Sequence, residues 1–455
     1  MGNRGLGLYC WEPLRRDFGA GIGELVSRRL SRWIVASVLV SLLLFAPAAQ
    51  KAATSASPVG AMRARPALCV GTHSKECSAA VAARSKKATK SCAAKARKHT
   101  KNCVTRARIK KAKKKSRSTA GANTKSTSAL PNGYGPAQFR GAYKLPSAAA
   151  GSQTIAIVTA YDSPNIETDL HVYSTTFSLP ICSSSNGCFR KVNGTGQKAP
   201  IPGGNALWEL ETSLDVEVAH AVCSNCKILL VEAASSSVND LSAAVDTAAK
   251  LGADVISNSW VVNEFRGETA LDRHFNHPGI AITAASGDTG YGVKWPAASP
   301  YVTAVGGTTL DLDSANARVS ESAWEQGGSG CSAYEPKPTW QSDSGCKQRT
   351  VPDVAAVANP DTGAAVYDSY GYSGRRGWYK VGGTSLAAPI VAAIYALAGN
   401  ADTVVSGSYP YAHSSALFDI QSGTNGKCAV TYLCTSAAGY DGPTGLGTPA
   451  GTAGF

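Results

Sequence analysis

The chain has 455 residues, of which 44% are hydrophobic and 17% charged, so it can bury one large core or divide into several domains. Its net charge of +14 is unevenly distributed, because residues 63–128 contain 20 Lys or Arg and one acid, whereas residues 129–455 contain 18 basic and 27 acidic residues. The composition therefore excludes a uniformly basic protein and assigns the positive charge to the N-terminal region.

The first predicted element is an apolar run at 34–49, which follows three arginines and ends in Ala-Pro-Ala. This pattern is typical of a secretory signal peptide, to which we assign residues 1–48. The polar part before the run is unusually long, so translation from Val26 is an alternative start. A retained anchor is the other alternative, although a membrane span needs about 20 apolar residues. We expect a secreted, extracellular protein.

Residues 49–130 form a basic, low-complexity leader, rich in Lys, Ala, Ser and Thr. Its four cysteines could pair in a nested way, Cys69 with Cys103 and Cys77 with Cys92, but three connectivities are possible. The leader could dock on the acidic remainder of the chain, bind an anionic surface such as cell wall, membrane or nucleic acid, or be a solvated leader. No aromatic residues interleave its lysines, so specific nucleic-acid binding is not expected.

From residue 131 onward, β-like apolar runs alternate with helical patterns. The predicted strands are 154–160, 227–233, 254–260, 279–285 and 301–307, and the predicted helices are 207–222, 238–252 and 386–399. This alternation favours an α/β fold with a parallel sheet and helices on both faces. We assign residues 131–455 to one domain and expect a monomer.

Eight cysteines of this domain lie in four close pairs: Cys182 with Cys188, Cys223 with Cys226, Cys331 with Cys346, and Cys428 with Cys434. In an exported chain such pairs predict disulfides. The CxxC pair at 223–226 could instead be a redox motif or half of a zinc site, but the chain has no second CxxC and no His cluster for it.

Two carboxylates, Glu211 and Asp215, lie four residues apart in the predicted helix 207–222 and so share one face. Like charges at this spacing make sense if one is protonated or if both serve a site. The alternative is an ordinary solvated acidic face, to which we assign Glu209 and Glu217.

Two further residues stand at predicted element ends. Asp288 follows an apolar strand, where α/β sheets place their sites. Ser385 lies in the segment 382–389 (GGTSLAAP), where glycines permit close backbone approach and a helix N-terminus offers free N–H groups to an oxyanion. Pro389 is expected in the first helical turn. A simple turn that caps a buried helix is the alternative.

In this order and spacing, Glu211-x-x-x-Asp215, Ser-Gly-Asp288-Thr-Gly and Gly-Thr-Ser385-x-Ala-x-Pro resemble the sedolisin family of serine-carboxyl peptidases, over residues 131–455. The resemblance implies a subtilisin-like fold. It further implies that Ser385 is the nucleophile, Glu211 the general base and acid, Asp215 the group that orients Glu211, and Asp288 the oxyanion donor.

Carboxyl chemistry of this kind requires acidic pH, because the reference pKa of glutamate is about 4.3 and Asp288 must be protonated to donate a hydrogen bond. We therefore expect an acid endopeptidase that hydrolyses proteins or peptides. A subtilisin-type Asp-His-Ser site is excluded because two of its residues are missing from the sequence. No Asp ends the strand at 157–160, and no partner His motif exists. A catalytically degenerate binding protein of the same fold is the remaining alternative.

The C-terminal region offers a candidate metal site. Asp419 and Asp441, with glycine-rich backbone around the second, suit a cage of oxygen ligands for one structural Ca²⁺. The resemblance implies these two carboxylates and the carbonyl oxygens of Ile420, Ala437 and Gly439 as ligands. Ala437 stands where the family more often has Gly, and two ordinary turn aspartates are the alternative. The leader also departs from the family, whose prosegments are longer and carry their own fold.

Overall fold

The computed structural model of the chain describes residues 62–70, 130–149, 152–201 and 203–455. The predicted signal peptide and Cys77, Cys92 and Cys103 lie outside these residues. The strands are β1 (Arg65–Pro66), β2 (Cys69–Val70), β3 (Thr154–Ala160), β4 (Phe189–Asn193), β5 (Lys227–Ala233), β6 (Val255–Asn258), β7 (Trp260–Asn263), β8 (Ala281–Ala285), β9 (Lys294–Trp295), β10 (Thr303–Leu312), β11 (Arg318–Ala323), β12 (Gly330–Pro336), β13 (Gln348–Val351), β14 (Val354–Val357), β15 (Ala364–Tyr372), β16 (Arg375–Gly382), β17 (Leu417–Phe418) and β18 (Thr448–Pro449). The α-helices are α1 (Pro136–Tyr143), α2 (Ile166–Thr176), α3 (Ala206–Val222), α4 (Val238–Lys250), α5 (Thr384–Ala398) and α6 (Tyr409–Ala412). Short 3₁₀ helices cover Glu268–His274, Pro360–Thr362, Ala401–Thr403, Ser414–Ala416 and Thr431–Leu433.

The central element is an eight-stranded sheet in the order β11-β10-β8-β6-β3-β5-β4, with β14 also paired to β10. Its strands are parallel except for β11, which pairs antiparallel with the end of β10. The predicted parallel sheet is therefore confirmed, and two of its strands, β3 and β5, have the predicted bounds.

Helices cover both faces of this sheet, as predicted. In β3, Ile155 and Ile157 point into the core that α3 and α5 share, whereas Ala156 and Val158 point into the core that contains α4. Because successive side chains of a strand alternate between faces, an uninterrupted apolar strand such as β3 must be covered on both sides. The functional helices α3 and α5 thus lie on the same face.

The predicted strand 254–260 is wrong in one respect, because the chain leaves the main sheet at Ser259. β6 stays in the sheet, whereas β7 joins a separate three-stranded sheet between β1 and β9. The Trp260 ring packs there against Trp295, with ring centroids 5.8 Å apart. This aromatic cluster draws the strand away from the sheet, so Ser259 lies at the break between β6 and β7.

Helix α5 begins at Thr384, two residues before the predicted start, so Pro389 lies inside the helix and not in its first turn. A proline there cannot donate to the carbonyl four residues earlier, which belongs to Ser385. The Ser259 hydroxyl oxygen lies 3.4 Å from that carbonyl oxygen, but its single proton is donated to Asp215 Oδ1 at the shorter distance of 2.6 Å.

The assignment of Glu209 and Glu217 to a solvated face is also wrong. Glu209 is 2% exposed and Glu217 is fully buried, because α3 packs against the sheet on one side and against β15 on another. The Glu217 carboxyl accepts a hydrogen bond from Tyr367 N at 2.9 Å, and burial raises its pKa well above the usual range. Burial also raises the pKa of Glu209 to about 8.

All four predicted close cysteine pairs form disulfides: Cys182–Cys188, Cys223–Cys226, Cys331–Cys346 and Cys428–Cys434. The CxxC cysteines are therefore not metal ligands. Cys69 is also disulfide-bonded. Among the described residues, no helix has the length and apolar character needed to cross a membrane.

Candidate active site

Helix α3 supplies two of the predicted residues, Glu211 and Asp215. The helix begins at a well-formed N-cap, where the Asn205 side chain accepts hydrogen bonds from Leu207 N and Trp208 N. Glu211 lies inside the helix, and both carboxyls are fully buried on the face toward α5. The four-residue spacing thus does bring them together.

A short chain of hydrogen bonds joins Asp215 to Ser385. The Ser259 hydroxyl donates to Asp215 Oδ1 at 2.6 Å, and the Ser385 hydroxyl donates to the Ser259 carbonyl oxygen at 3.2 Å. Ser259 therefore contacts both residues, and it fixes the orientation of the Asp215 carboxyl.

The Glu211 carboxyl lies beside Ser385 and Asp215 in a dry environment. Neither of its oxygens has a hydrogen-bond partner among the described residues, since the Ser385 hydroxyl points at Ser259. Burial, and then the charge of Asp215, raise the pKa of Glu211 well above its ordinary value, while the Ser385 hydroxyl opposes that shift. Burial likewise raises the pKa of Asp215. The two carboxyls therefore titrate as a pair that retains a proton.

Asp288 follows β8 and is anchored by the first residue of α5. Its Oδ1 accepts hydrogen bonds from Thr384 N and Thr384 Oγ1, both at 2.8 Å, and Thr384 Oγ1 accepts in turn from Gly287 N at 2.9 Å. Burial raises the pKa of Asp288 to about 6, with Thr384 acting in the opposite direction. With Oδ1 occupied by donors, Oδ2 is the oxygen that can carry a proton.

Gly383, immediately before α5, has a φ of 109°, which L side chains rarely adopt. A Cβ atom at this position would lie 2.6 Å from Asp288 Oδ2 and would collide with the carbonyl oxygen of Ala67. The glycine thus keeps open the space between Asp288 and the N-terminus of α5, where an oxyanion would need donors.

The four residues of the sequence hypothesis, Glu211, Asp215, Asp288 and Ser385, are all buried around the N-terminus of α5. Among the described residues, no Lys, Arg or His lies within 4.0 Å of their carboxyls. Proton exchange between an alcohol and carboxyl groups is the chemistry that this arrangement allows.

Three features of the site were not predicted from the sequence. Ser259 and Thr384 were assigned no role, although both adjoin motif segments named above. Residues 62–70, which run across the site and place the Ala67 carbonyl oxygen 2.9 Å from Ser385 N, were not predicted either. The apolar run 66–70 within a basic tract was the available signal.

Comparisons with known proteins agree with this geometry. A profile of the Subtilase family matches residues 185–408. Sedolisin from Pseudomonas sp. is 29% identical over 359 residues, covering 70% of this chain and 60% of the relative. Kumamolisin from Bacillus sp. is 30% identical over 370 residues, covering 72% of this chain and 64% of the relative. The solved structure of Pseudomonas sedolisin, a serine-carboxyl proteinase complexed with two molecules of pseudo-iodotyrostatin, has a TM-score of 0.61 and 28% identity, covering 71% of this chain and 96% of that one.

The chain is similar in sequence and in fold to peptidases of the sedolisin family. Its fold is accordingly subtilisin-like, as the resemblance implied. The chain spans about 60 to 64% of the length of these two curated sedolisin-family relatives.

The predicted calcium ligands also lie close together. Asp419 Oδ2 accepts from Gly439 N at 3.1 Å, and Asp441 Oδ2 accepts from Ala437 N at 3.0 Å. Burial raises the pKa of Asp441 to about 7, and the charge of Asp419 adds to the shift. In the described part of the chain, no hydrogen bond ends on the carbonyl oxygens of Ile420, Ala437 or Gly439. This set of oxygens fits a hard cation.

We predict that Gly383→Ala lowers peptide hydrolysis at least about a hundredfold, because a methyl group enters the space where an oxyanion would form. The matched control is Gly377→Ala, where φ is 100° but no atom of the described residues lies within 4 Å of an added Cβ. Measured kcat/KM and thermal melting would separate the two variants. Equal activity of both would show that the space beside Gly383 is not used.

Proposed function

We propose that the chain is a secreted serine-carboxyl endopeptidase that hydrolyses peptide bonds of proteins or peptides in acid. The observation that carries this proposal is the buried contact network of Ser385, Ser259 and Asp215, with Glu211 beside it and no basic group among the described residues within 4.0 Å of the carboxyls. Four disulfides support an oxidising, extracellular location. The passage of residues 62–70 through the cleft supports endopeptidase action, because it leaves room for chain on both sides of the cleaved bond.

In the proposed mechanism, the Ser385 hydroxyl turns from the Ser259 carbonyl to Glu211, which accepts its proton as Oγ attacks the peptide carbonyl. Asp215 holds a shared proton with Glu211 and is itself oriented by Ser259. Protonated Asp288 Oδ2 and Ser385 N–H donate to the oxyanion. Glu211 then returns the proton to the leaving amine, and water cleaves the acyl-enzyme by the same steps.

We predict that Ser385→Ala lowers kcat by about a millionfold, as removal of a serine nucleophile does elsewhere. The matched control is Ser242→Ala, another buried serine, whose hydroxyl has no hydrogen-bond partner among the described residues. Hydrolysis of a peptide library at about pH 4 is the measurement. If Ser385→Ala retained the wild-type rate, the chain would use another nucleophile. If neither protein cleaved any peptide, the chain would be a binding protein.

The alkaline limb of the pH profile should report Asp288. Its pKa of about 6 means that the donor proton is present below that pH and lost above it, so kcat/KM should fall as the pH rises through about 6. An amide at position 288 donates at every pH. Asp288→Asn should therefore keep a donor and lose this alkaline limb, so that its kcat/KM no longer falls as the pH rises through about 6.

Asp288→Ala controls for the loss of the donor and should be slow at all pH values. An unchanged alkaline limb in Asp288→Asn would assign that limb to the Glu211–Asp215 pair instead.

We also propose one structural Ca²⁺, held by the Asp419 and Asp441 carboxylates and the carbonyl oxygens of Ile420, Ala437 and Gly439. A cation would offset the burial of Asp441 and its repulsion from Asp419, and would tie together two C-terminal loops. Because Ca²⁺ would bind the folded chain and not the unfolded one, its binding would stabilise the folded state by mass action.

A chelator should lower the Tm by about 5 °C or more, and added Ca²⁺ should restore it. Asp441→Asn should start from the lower Tm and respond to neither reagent. The control Asp402→Asn, at an exposed acid outside these loops, should respond like wild type. A wild-type Tm that does not change with chelator would rule out this site.

A further inference from the structure

A cavity of about 280 Å³, lined by Tyr411, Tyr432 and Tyr440, lies outside the candidate active site. None of the four candidate catalytic residues contributes to its wall. The three rings adjoin one another, with centroids 6.1 Å apart for Tyr411 and Tyr440 and 6.5 Å apart for Tyr432 and Tyr440. Because cavities that hold drug-sized ligands measure about 300 to 1,000 Å³, this cavity, the tyrosine pocket, suits a ligand of a single ring.

Two of the tyrosines have their hydroxyl groups bonded to buried parts of the protein. Tyr411 OH donates to Asp353 Oδ1 at 2.9 Å, and Tyr440 OH donates to the Pro352 carbonyl oxygen at 3.0 Å. Burial raises the pKa of both hydroxyls well above the usual value, although each side chain as a whole is only half-buried. The accessible part of each side chain is therefore ring surface, which is the part offered to a ligand.

The single charged residue that lines the tyrosine pocket, Asp343, is already neutralised. Its Oδ1 lies 2.6 Å from Lys337 Nζ, and its Oδ2 accepts from Tyr432 OH at 2.6 Å and from Thr350 Oγ1 at 2.9 Å. An aromatic pocket can also hold a cation, but the ammonium group of Lys337 beside this carboxylate would repel one. The pocket therefore favours a neutral ligand.

Two free hydroxyl groups complete the lining, those of Ser342 and Ser344. Both serines are exposed, and neither hydroxyl has a hydrogen-bond partner in the part of the chain that the structure describes. A hydroxyl can donate one hydrogen bond and accept two, so these groups match a neutral ligand that carries hydroxyls of its own.

Disulfides tie down the two loops that form the tyrosine pocket. The Cys331–Cys346 bond closes the loop that carries Ser344, and the Cys428–Cys434 bond closes the loop that carries Tyr432. A site held in this way is formed before the ligand arrives, so binding costs little ordering of the protein.

We propose that the tyrosine pocket binds a neutral pyranose ring of a saccharide. The C–H groups on the face of such a ring pack against the electron-rich faces of aromatic rings, and the hydroxyls around its edge can pair with the two serines. This inference does not rest on the proposed peptidase function. The pocket adds a saccharide-binding site that would hold the chain on a polysaccharide or on a glycoprotein.

The test is a ligand-observed NMR titration of the full-length Ser385→Ala chain with methyl glycosides of glucose, galactose, mannose and N-acetylglucosamine. At least one glycoside should bind with a Kd of about 1 mM, the affinity expected for a ligand of this size. A soluble polysaccharide and a glycopeptide of the same sugar, compared in parallel, would show which source binds more tightly.

Variants of Tyr432 separate the ring from its hydroxyl. Tyr432→Ala should raise the Kd at least about tenfold, because the ring face is lost, whereas Tyr432→Phe keeps the face and should stay within about threefold of the parent chain. The matched control is Tyr334→Ala, at a tyrosine that is 41% exposed and does not line the pocket, and it should bind like the parent chain.

The double variant Ser342→Ala, Ser344→Ala keeps the test independent of folding. Neither hydroxyl is bonded within the described residues, so the Tm should not change, while the Kd should rise about tenfold. The inference is overturned if no glycoside binds, or if Tyr432→Ala and the parent chain bind the glycosides equally. Tighter binding of phenylalanine amide or tetramethylammonium than of every glycoside would also overturn it, because the pocket would then recognise an aromatic side chain or a cation.

Discussion

The burial of carboxyl groups with no basic side chain of residues 62–70, 130–149, 152–201 or 203–455 beside them is the constraint on which the site depends. Glu211, Asp215 and Asp288 are at most 5% exposed, and their hydrogen-bond donors are hydroxyl and backbone N–H groups. Desolvation disfavours the charged form, so these groups keep protons that surface carboxyls would have lost. Glu211 and Asp215 can share the proton that their pair retains. Asp288 can donate its own retained proton in a hydrogen bond. A lysine or arginine in this pocket would remove both properties.

Burial raises the pKa of other carboxyls in the fold as well. It raises the pKa of Glu232 to about 8, against the opposing charge of Lys191, and those of Glu268 and Glu335 to about 9, while the pKa of Glu217 shifts in the same direction. Since each folded-state pKa lies above the unfolded value, the folded chain binds more protons. This contribution to stability is complete below about pH 4.5 and is lost as the pH rises toward 8 to 9. Asp353, by contrast, is buried beside a cation, because the Arg349 guanidinium donates two hydrogen bonds of 2.6 Å to its carboxylate. The fold and the proposed chemistry therefore favour the same acidic conditions.

Sequence periodicity predicted the parts of the site that local geometry determines. Helical spacing placed Glu211 and Asp215 together, and the end of an apolar strand placed Asp288 near the sheet edge. What it could not predict depends on packing between distant segments. Glu209 and Glu217 are buried because β15 covers a helix face that the pattern leaves polar. Ser259 reaches Asp215 only because the aromatic cluster around Trp260 takes β7 out of the main sheet, a tertiary effect with no local signal.

Residues 62–70 show a different limit of sequence analysis. Averaged over the leader, the composition is polar and basic, yet Ala67 and Leu68 are each 1% exposed. The segment is held mainly by backbone hydrogen bonds to Ser236, Ser259 and Ser385, and such bonds require an extended chain but few particular side chains. Only steric demands leave a trace in the sequence, such as a small residue at 67 and a glycine at 383. Contacts made through the backbone therefore leave little trace in the sequence of the segment that they hold.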